Sequence, residues 1–442
     1  MRLLELTPHR IILISYLILI LIGAILLYLP FSVNKPIHFL DAIFTATSAV
    51  TVTGLIVLNT AKDFTFLGKL IILFLIQIGG LGYLTFTTYF LITLKRKIGL
   101  RERLILAESL NISEIYGLVK FLKKVFPIII LIEFIGTILL FFPFLFKFKD
   151  FNFAFFAAFF HSISAFNNAG FSIFPDNFIQ FRNNFFINFI IALLIILGGL
   201  GFYVLDELLL YIKKEIKMLS IHTKLVLLSS IIFIFLGALI LFINVFNWSD
   251  LTFKEKFLIS FFHSISARTA GFNTIDLSRF SEGSLFSLIC LMFIGASPGG
   301  TGGGIKTITM VVILLSVYSY IRGYKEVVVF NRSIKDNQIH RAMIILSLGF
   351  FYTTFMALLL SELEEKPFLA TLFEVISAFS TVGLSIGNSQ GLSFCADFSN
   401  IGKLLIILTM IVGRVGILSF MLAIAGKEKI RYIKHPEARL YL

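Results

Sequence analysis

One motif recurs four times along this chain, and any fold must place all four copies. FFHSISARTAGF (261–272) is echoed by FFHSISAFNNAGF (159–171), and two looser relatives, IFTATSAVTVTGL (43–55) and LFEVISAFSTVGL (372–384), complete the set. Each ends in a glycine followed by a large apolar residue: Gly54, Gly170, Gly271 and Gly383, separated by 116, 101 and 112 residues. That period is far too long for a solenoid repeat and suits a small membrane module. Four such modules predict fourfold pseudosymmetry about one axis.

Within each copy a half-length apolar run precedes small and hydroxyl residues and then the glycine. A run of roughly 10 to 14 apolar residues is too short to span a bilayer and reads as a re-entrant helix. The tail behind it is irregular backbone at membrane depth, tolerated only where protein buries it or it lines water. Glycine reaches positive φ and can turn successive carbonyls to one side, and rings of carbonyls that replace a hydration shell make potassium-selective filters. The helix C-termini would also favour a cation between them. Small-residue helix packing accounts for the glycines but not for four half-length helices with one order of parts.

Composition puts these modules in a membrane: 58% of residues are hydrophobic, 53 are phenylalanine and only 14% are charged, which no ordinary soluble domain carries. The net charge of +13 comes with no basic stripe interleaved with aromatics, so no nucleic-acid partner is expected. Cys290 and Cys395 have neither metal-ligand spacing nor a disulfide framework and read as packing residues. The expected divisions are repeat 1 (1–94), a cytoplasmic linker (95–124) with an amphipathic middle, repeat 2 (125–224), repeat 3 (225–325), repeat 4 (326–426) and a basic tail (427–442). Exit spans are predicted over 67–94, 185–211, 284–320 and 401–425. Of the 38 Lys and Arg, 24 fall in the termini and inter-module loops, which the positive-inside rule makes cytoplasmic. The fold class expected is therefore an all-α integral membrane protein of four membrane-pore-helix-membrane repeats, with eight transmembrane helices and four re-entrant loops around a pseudo-fourfold ion pathway.

Four further stretches, QIGGLGYLTF (77–86), LGGLGFYVLDEL (197–208), GASPGGTGGGIKT (295–307) and VGRVGILSF (412–420), follow the four motifs in order. With them the chain resembles the Trk/Ktr/HKT superfamily of potassium transporters over nearly its whole length. Its early first span is similar to the shorter Ktr-type membrane subunit. The resemblance implies channel-like K⁺ translocation in a prokaryotic plasma membrane, with both termini cytoplasmic. It implies a homodimer with one pore per protomer, and control by a separate cytoplasmic ring of nucleotide-binding subunits (KtrA/TrkA-like). No cofactor is expected in this chain. Sodium enters as a coupling or activating ion, and a sodium-conducting or Na⁺-coupled transporter of the same fold is the alternative.

The expected filter comprises Thr51, Val52, Thr53 and Gly54; Asn167, Asn168, Ala169 and Gly170; Arg268, Thr269, Ala270 and Gly271; and Ser380, Thr381, Val382 and Gly383, holding K⁺ by backbone carbonyls. Four non-identical quarters predict moderate selectivity over sodium. Arg268 should turn from the axis toward carbonyls, or toward Glu374 or Asp41. The break Gly295, Ala296, Ser297, Pro298, Gly299, Gly300, Thr301, Gly302, Gly303 and Gly304 cannot be stable helix. In the family it is a loop that obstructs the path under the filter; with Lys306 and Arg414 it forms the expected gate. It is no phosphate loop, because Ile305 separates Gly304 from Lys306. Arg414 is costly within a span and so marks function; the competing reading pairs it with Glu133 or Asp206. Gate variants are expected to leave selectivity intact, the filter lying beyond both elements. His161 and His263 hold one position in two repeats and read as pore-helix packing, not as part of a hydrolase; no enzyme motif is present. Inverted-repeat secondary transport is disfavoured by four parallel repeats.

Overall fold

The computed structural model describes residues 7–94, 99–109 and 117–425, and in them the chain is mostly helical. The first quarter holds α1 (Pro8–Tyr28), α2 (Phe39–Val50), α3 (Phe66–Leu81) and α4 (Tyr83–Thr93), followed by α5 (Leu100–Ser109). The second holds α6 (Leu118–Phe148), α7 (Phe151–Phe166), α8 (Phe185–Gly199) and α9 (Phe202–Ile212). The third holds α10 (Ile221–Phe246), α11 (Phe253–Ser266), α12 (Glu282–Phe293) and α13 (Thr307–Ile321). A two-residue hairpin pairing Val328 with Ser333 leads to the last quarter, α14 (Asp336–Leu363), α15 (Phe368–Phe379), α16 (Asn400–Val415) and α17 (Ile417–Ala425). Of the expected linker, 95–98 and 110–116 lie outside the described residues, as does the basic tail 427–442.

Among the described residues four helices, α1, α6, α10 and α14, are long and apolar enough to cross a membrane. At ~1.5 Å per residue the 21 residues of α1 reach about 31 Å, the thickness of a hydrocarbon core. Its Leu17, Ile18, Leu21, Ile22 and Ile25 face outward, exposed as a lipid-facing surface would be. Caps set where the shorter helices begin. Asp150 accepts from the Phe153 N–H ahead of α7, and Thr252 and Glu255 form a reciprocal capping box ahead of α11.

The exit segments correct one expectation. The sequence predicts continuous spans over 67–94, 185–211 and 401–425, whereas α3/α4, α8/α9 and α16/α17 bend by 87°, 104° and 100°. Each bend falls on the last glycine of a quoted motif, Gly82, Gly201 or Gly416, at φ of 80°, 98° and 88°. The first glycine of each motif has a different duty. A Cβ on Gly79, Gly198 or Gly413 would strike the carbonyl oxygen of Val50, Phe166 or Phe379, the last residues of the short helices α2, α7 and α15. Three exits thus lie backbone to backbone against the helix they follow and then turn away. In the third quarter, residues 294–306 separate α12 from α13, as expected.

Candidate ion pathway

The short helices α2, α7, α11 and α15 end in fully buried turns, and the tails leaving them close into a ring. A Cβ added to Gly54 would lie 3.0 Å from the Gly170 Cα; on Gly170, 3.1 Å from the Gly271 Cα; on Gly271, 3.2 Å from the Gly383 Cα; on Gly383, 3.0 Å from the Gly54 Cα. The circuit returns to its start, so the four glycines meet around one axis. The atom nearest each added Cβ is the carbonyl oxygen of the residue before the next glycine: Ala169, Ala270, Val382 and Thr53 in turn. The glycine φ values of 90°, 69°, 76° and 88° are those L side chains rarely adopt.

Two residues before each glycine the backbone is left-handed again, at Val52, Asn168, Thr269 and Thr381 (φ 51°, 56°, 80° and 50°). For β-branched residues this is strained and persists only where the surroundings over-determine it. Four serines do much of that. The N–H of Thr53, Ala169, Ala270 and Val382 donates to the carbonyl of Ser48, Ser164, Ser266 and Ser377 at 2.8, 2.8, 2.8 and 2.9 Å. The hydroxyls of those serines hold the next stretch of backbone. Ser48 and Ser377 accept from Gly54 and Gly383 N–H at 3.0 and 3.1 Å, and Ser164 and Ser266 donate to the Phe171 and Phe272 carbonyls at 2.8 and 2.5 Å. The N–H groups are satisfied behind the tail, and carbonyls are left to crowd the ring. Sequence reasoning missed these latches, although a Ser-Ala pair stands in all four copies. Asn167 is held from outside the ring as well, its amide donating to Gln77 (2.8 Å) and to the buried Glu133 (3.0 Å).

On the side toward which the chain continues, a cavity of about 420 Å³ is lined by all four glycines. Its lining includes Asp176 and Asp276 and no Lys or Arg, which suits a cation's approach. Arg268 turns away from the axis to a carbonyl, one of the expected partners, and to neither Glu374 nor Asp41. Its guanidinium donates to the carbonyl and hydroxyl of Ser230 on α10 at 3.4 and 3.2 Å. Glu374 instead accepts from the Cys395 N–H, and Asp41 pairs with Lys403 at 3.1 Å.

On the other face of the ring lies the 295–304 segment. Thr301 reaches the Phe166 carbonyl at 3.3 Å, and the Gly303 N–H donates to the Thr381 hydroxyl at 2.8 Å. Ile294 and Ile305 bridge its ends, and Lys306 Nζ donates back to the Gly302 carbonyl at 2.5 Å. Ser297 and Thr301 N–H donate to Gly199 and Gly198, and Gly299 accepts from Phe202 N–H, tying the segment to the α8/α9 bend. Arg414 sits where the other exits carry Gly80 and Gly199. It donates to the carbonyls of Thr301, Gly79 and Gly80. The competing pairings do not occur: Glu133 is bonded to Gln77 and Asn167, and Asp206 to Lys124. Lys306 and Arg414 both line a cavity of about 150 Å³ between the segment and the α3/α4 and α16/α17 bends. The segment packs directly on Thr269, Ser380 and Thr381, with no gap between it and the ring.

Comparison with known proteins agrees with this architecture. Ktr system potassium uptake protein B of Bacillus subtilis (strain 168) is 39% identical over 439 residues, covering 98% of this chain and 96% of its own. The potassium/sodium uptake protein NtpJ of Enterococcus hirae is 35% identical, covering 99% of this chain and 98% of its own. The crystal structure of the potassium transporter TrkH from Vibrio parahaemolyticus superposes with a TM-score of 0.71 at 20% identity, covering 93% of this chain and 83% of that one, so the fold is shared. The family model described as "TrkH: Cation transport protein" matches residues 7–432, and the chain belongs to this family of membrane cation transporters, which are not enzymes.

Proposed function

We propose that this chain is the ion-conducting membrane subunit of a potassium uptake system, with K⁺ held by backbone carbonyls of 51–54, 167–170, 268–271 and 380–383. The observation that carries this is the closed circuit of Gly54, Gly170, Gly271 and Gly383, each set against the carbonyl preceding the next. Carbonyls fixed around an axis can replace a cation's hydration shell, and the Bacillus subtilis relative is named for potassium uptake. The chain crosses the membrane eight times, through α1, α3/α4, α6, α8/α9, α10, α12/α13, α14 and α16/α17, while α2, α7, α11 and α15 re-enter. The 24 basic residues of the termini and inter-module loops support a cytoplasmic side for both termini, and the bacterial relatives support a prokaryotic plasma membrane.

Residues 295–304, with Lys306 and Arg414, form the gate. Glycine-rich backbone supplies mobility, and two cationic side chains on one small cavity oppose a cation. The relative's name assigns it to a Ktr system, in keeping with a separate cytoplasmic nucleotide-binding subunit that acts on this gate in a homodimer. One observation favours a second reading, sodium conduction or coupling: the Enterococcus hirae relative is named for potassium and sodium uptake. Potassium-uptake rescue in a transport-deficient host, with and without the regulatory partner and across sodium concentrations, tests both. Rescue that needs neither ion gradient nor intact ring glycines refutes the potassium reading; rescue of sodium uptake alone establishes the second.

A further inference from the structure

The gate segment and the filter are not separate parts. Three consecutive glycines of the segment abut residues of the third and fourth tails. A Cβ on Gly302 would strike the Thr269 hydroxyl and come within 2.7 Å of the Thr269 Cβ. One on Gly303 would lie 2.5 Å from the Thr381 Oγ1, and one on Gly304 would lie 2.9 Å from the Ser380 Oγ. Only at Thr381 does the proximity become a bond from segment backbone to filter side chain, the Gly303 N–H donating at 2.8 Å.

Thr381 is also where the fourth tail is most in need of support. It is fully buried and β-branched, at a φ of 50° that such residues avoid. Its own N–H donates to the Ala378 carbonyl at 3.2 Å. The next residue, Val382, supplies the carbonyl that lies against Gly271. A change in backbone twist at Thr381 therefore moves a ring oxygen directly. The first quarter has Val52 at the corresponding position, with no hydroxyl to accept such a bond.

We propose that Thr381 is a specificity-determining positioning residue: with the segment in place, the Gly303–Thr381 bond holds the fourth quarter of the filter in its potassium-selecting shape. Displacing the segment breaks that bond, so opening and loss of discrimination are coupled. This rests on the filter-and-gate reading above and adds to it that selectivity depends on the state of the gate.

The test uses the full chain in liposomes, reading Rb⁺ and Na⁺ flux from one preparation. Thr381→Val keeps shape and β-branching and removes the acceptor. A net hydrogen bond of ~0.5–1.5 kcal/mol corresponds to a loss of Rb⁺ over Na⁺ discrimination of roughly 2- to 12-fold. Thr381→Ser, which keeps the hydroxyl, should recover the parent's discrimination. Gly303→Ala approaches from the other side: its methyl pushes the segment off Thr381, raising flux and lowering discrimination together. Combining Thr381→Val with Gly303→Ala should lower discrimination no further than the worse single variant. Parental discrimination in a folded Thr381→Val, or equal loss in Val and Ser variants, overturns the proposal. If Thr381→Val does not accumulate, Gly303→Ala decides, and parental discrimination in it overturns the proposal too. A parent chain with no Rb⁺ preference would instead defeat the filter reading itself.

Discussion

Replacing Arg414 by alanine isolates the clamp on the 295–304 segment. The guanidinium bridges two elements, with one donor on the Thr301 carbonyl of the segment and two contacts on Gly79 and Gly80 at the end of α3. Only the Thr301 bond spans the gap between them, so its loss sets the shift in the segment's position. A bond from a charged donor contributes about 1.5–3 kcal/mol, and its removal shifts the closed-to-open ratio by roughly 10- to 150-fold. The lost charge acts in the same direction, since two unit charges ~4 Å apart repel by about 4 kcal/mol at an effective dielectric of 20. Arg414→Lys separates the two effects. It keeps the charge but cannot bridge three carbonyls as a planar fork does. If the clamp dominates, Lys opens the path nearly as well as Ala; if charge dominates, Lys stays near the parent. The assay is K⁺ flux into liposomes with and without the regulatory subunit. An Arg414→Ala protein that folds, carries no more flux than the parent and depends on its partner as much would refute the clamp.

The ring geometry ranks substitutions at the glycines. The nearest atom to an added Cβ is 2.9 Å away at Gly170 and closer at Gly54, Gly271 and Gly383, so Gly170→Ala should lose the least Rb⁺ over Na⁺ discrimination of the four alanine variants. Gly198→Ala drives a methyl into the Phe166 carbonyl and should destabilise the protein by at least roughly 1–3 kcal/mol, read as a lower melting temperature in detergent. At Glu374, whose Oε1 accepts the Cys395 N–H at 3.0 Å, glutamine keeps an acceptor and should melt near the parent, whereas alanine orphans that donor at about 1–3 kcal/mol. Equal melting temperatures for the two Glu374 variants would show that bond to be idle.

Much of the pathway was legible because its demands fall on residue types. Positive φ against a neighbouring backbone leaves glycine as the natural choice, so Gly54, Gly170, Gly271 and Gly383 announce themselves, and the 295–304 run betrays its lack of helix. What stayed hidden depends on neighbours. Val52, Thr269 and Thr381 are left-handed although their side chains argue against it, because serine latches and, at Thr381, the 295–304 segment hold them there. The exit bends were hidden for a related reason: a glycine inside an apolar run can serve close packing, as Gly79 does, or a turn, as Gly82 does three residues later. Arg414 is plain in the sequence as a charge within a span. Its partners at Thr301 and Gly79 lie 113 and 335 residues away, and no local pattern points to them.

A ring of four identical subunits could not carry this arrangement. Symmetry would repeat every element four times, and four copies of the 295–304 segment cannot share the space beneath one ring that a single copy already fills against Phe166, Thr269 and Thr381. With the four quarters joined in one chain, each can differ where the others need it to. The third opens its exit, between α12 and α13, into the long non-helical stretch that supplies the segment. The second supplies the carbonyls of Gly198 and Gly199 on which it rests. The fourth places an arginine where the first and second place glycine, and the first lends the carbonyls of Gly79 and Gly80 that anchor it. In the proposed filter, quarters so unequal would not grip a cation as evenly as identical ones. The same inequality gives one filter quarter, through Thr381, a hydrogen bond with the segment's backbone, the contact on which the proposed coupling of gate and selectivity rests.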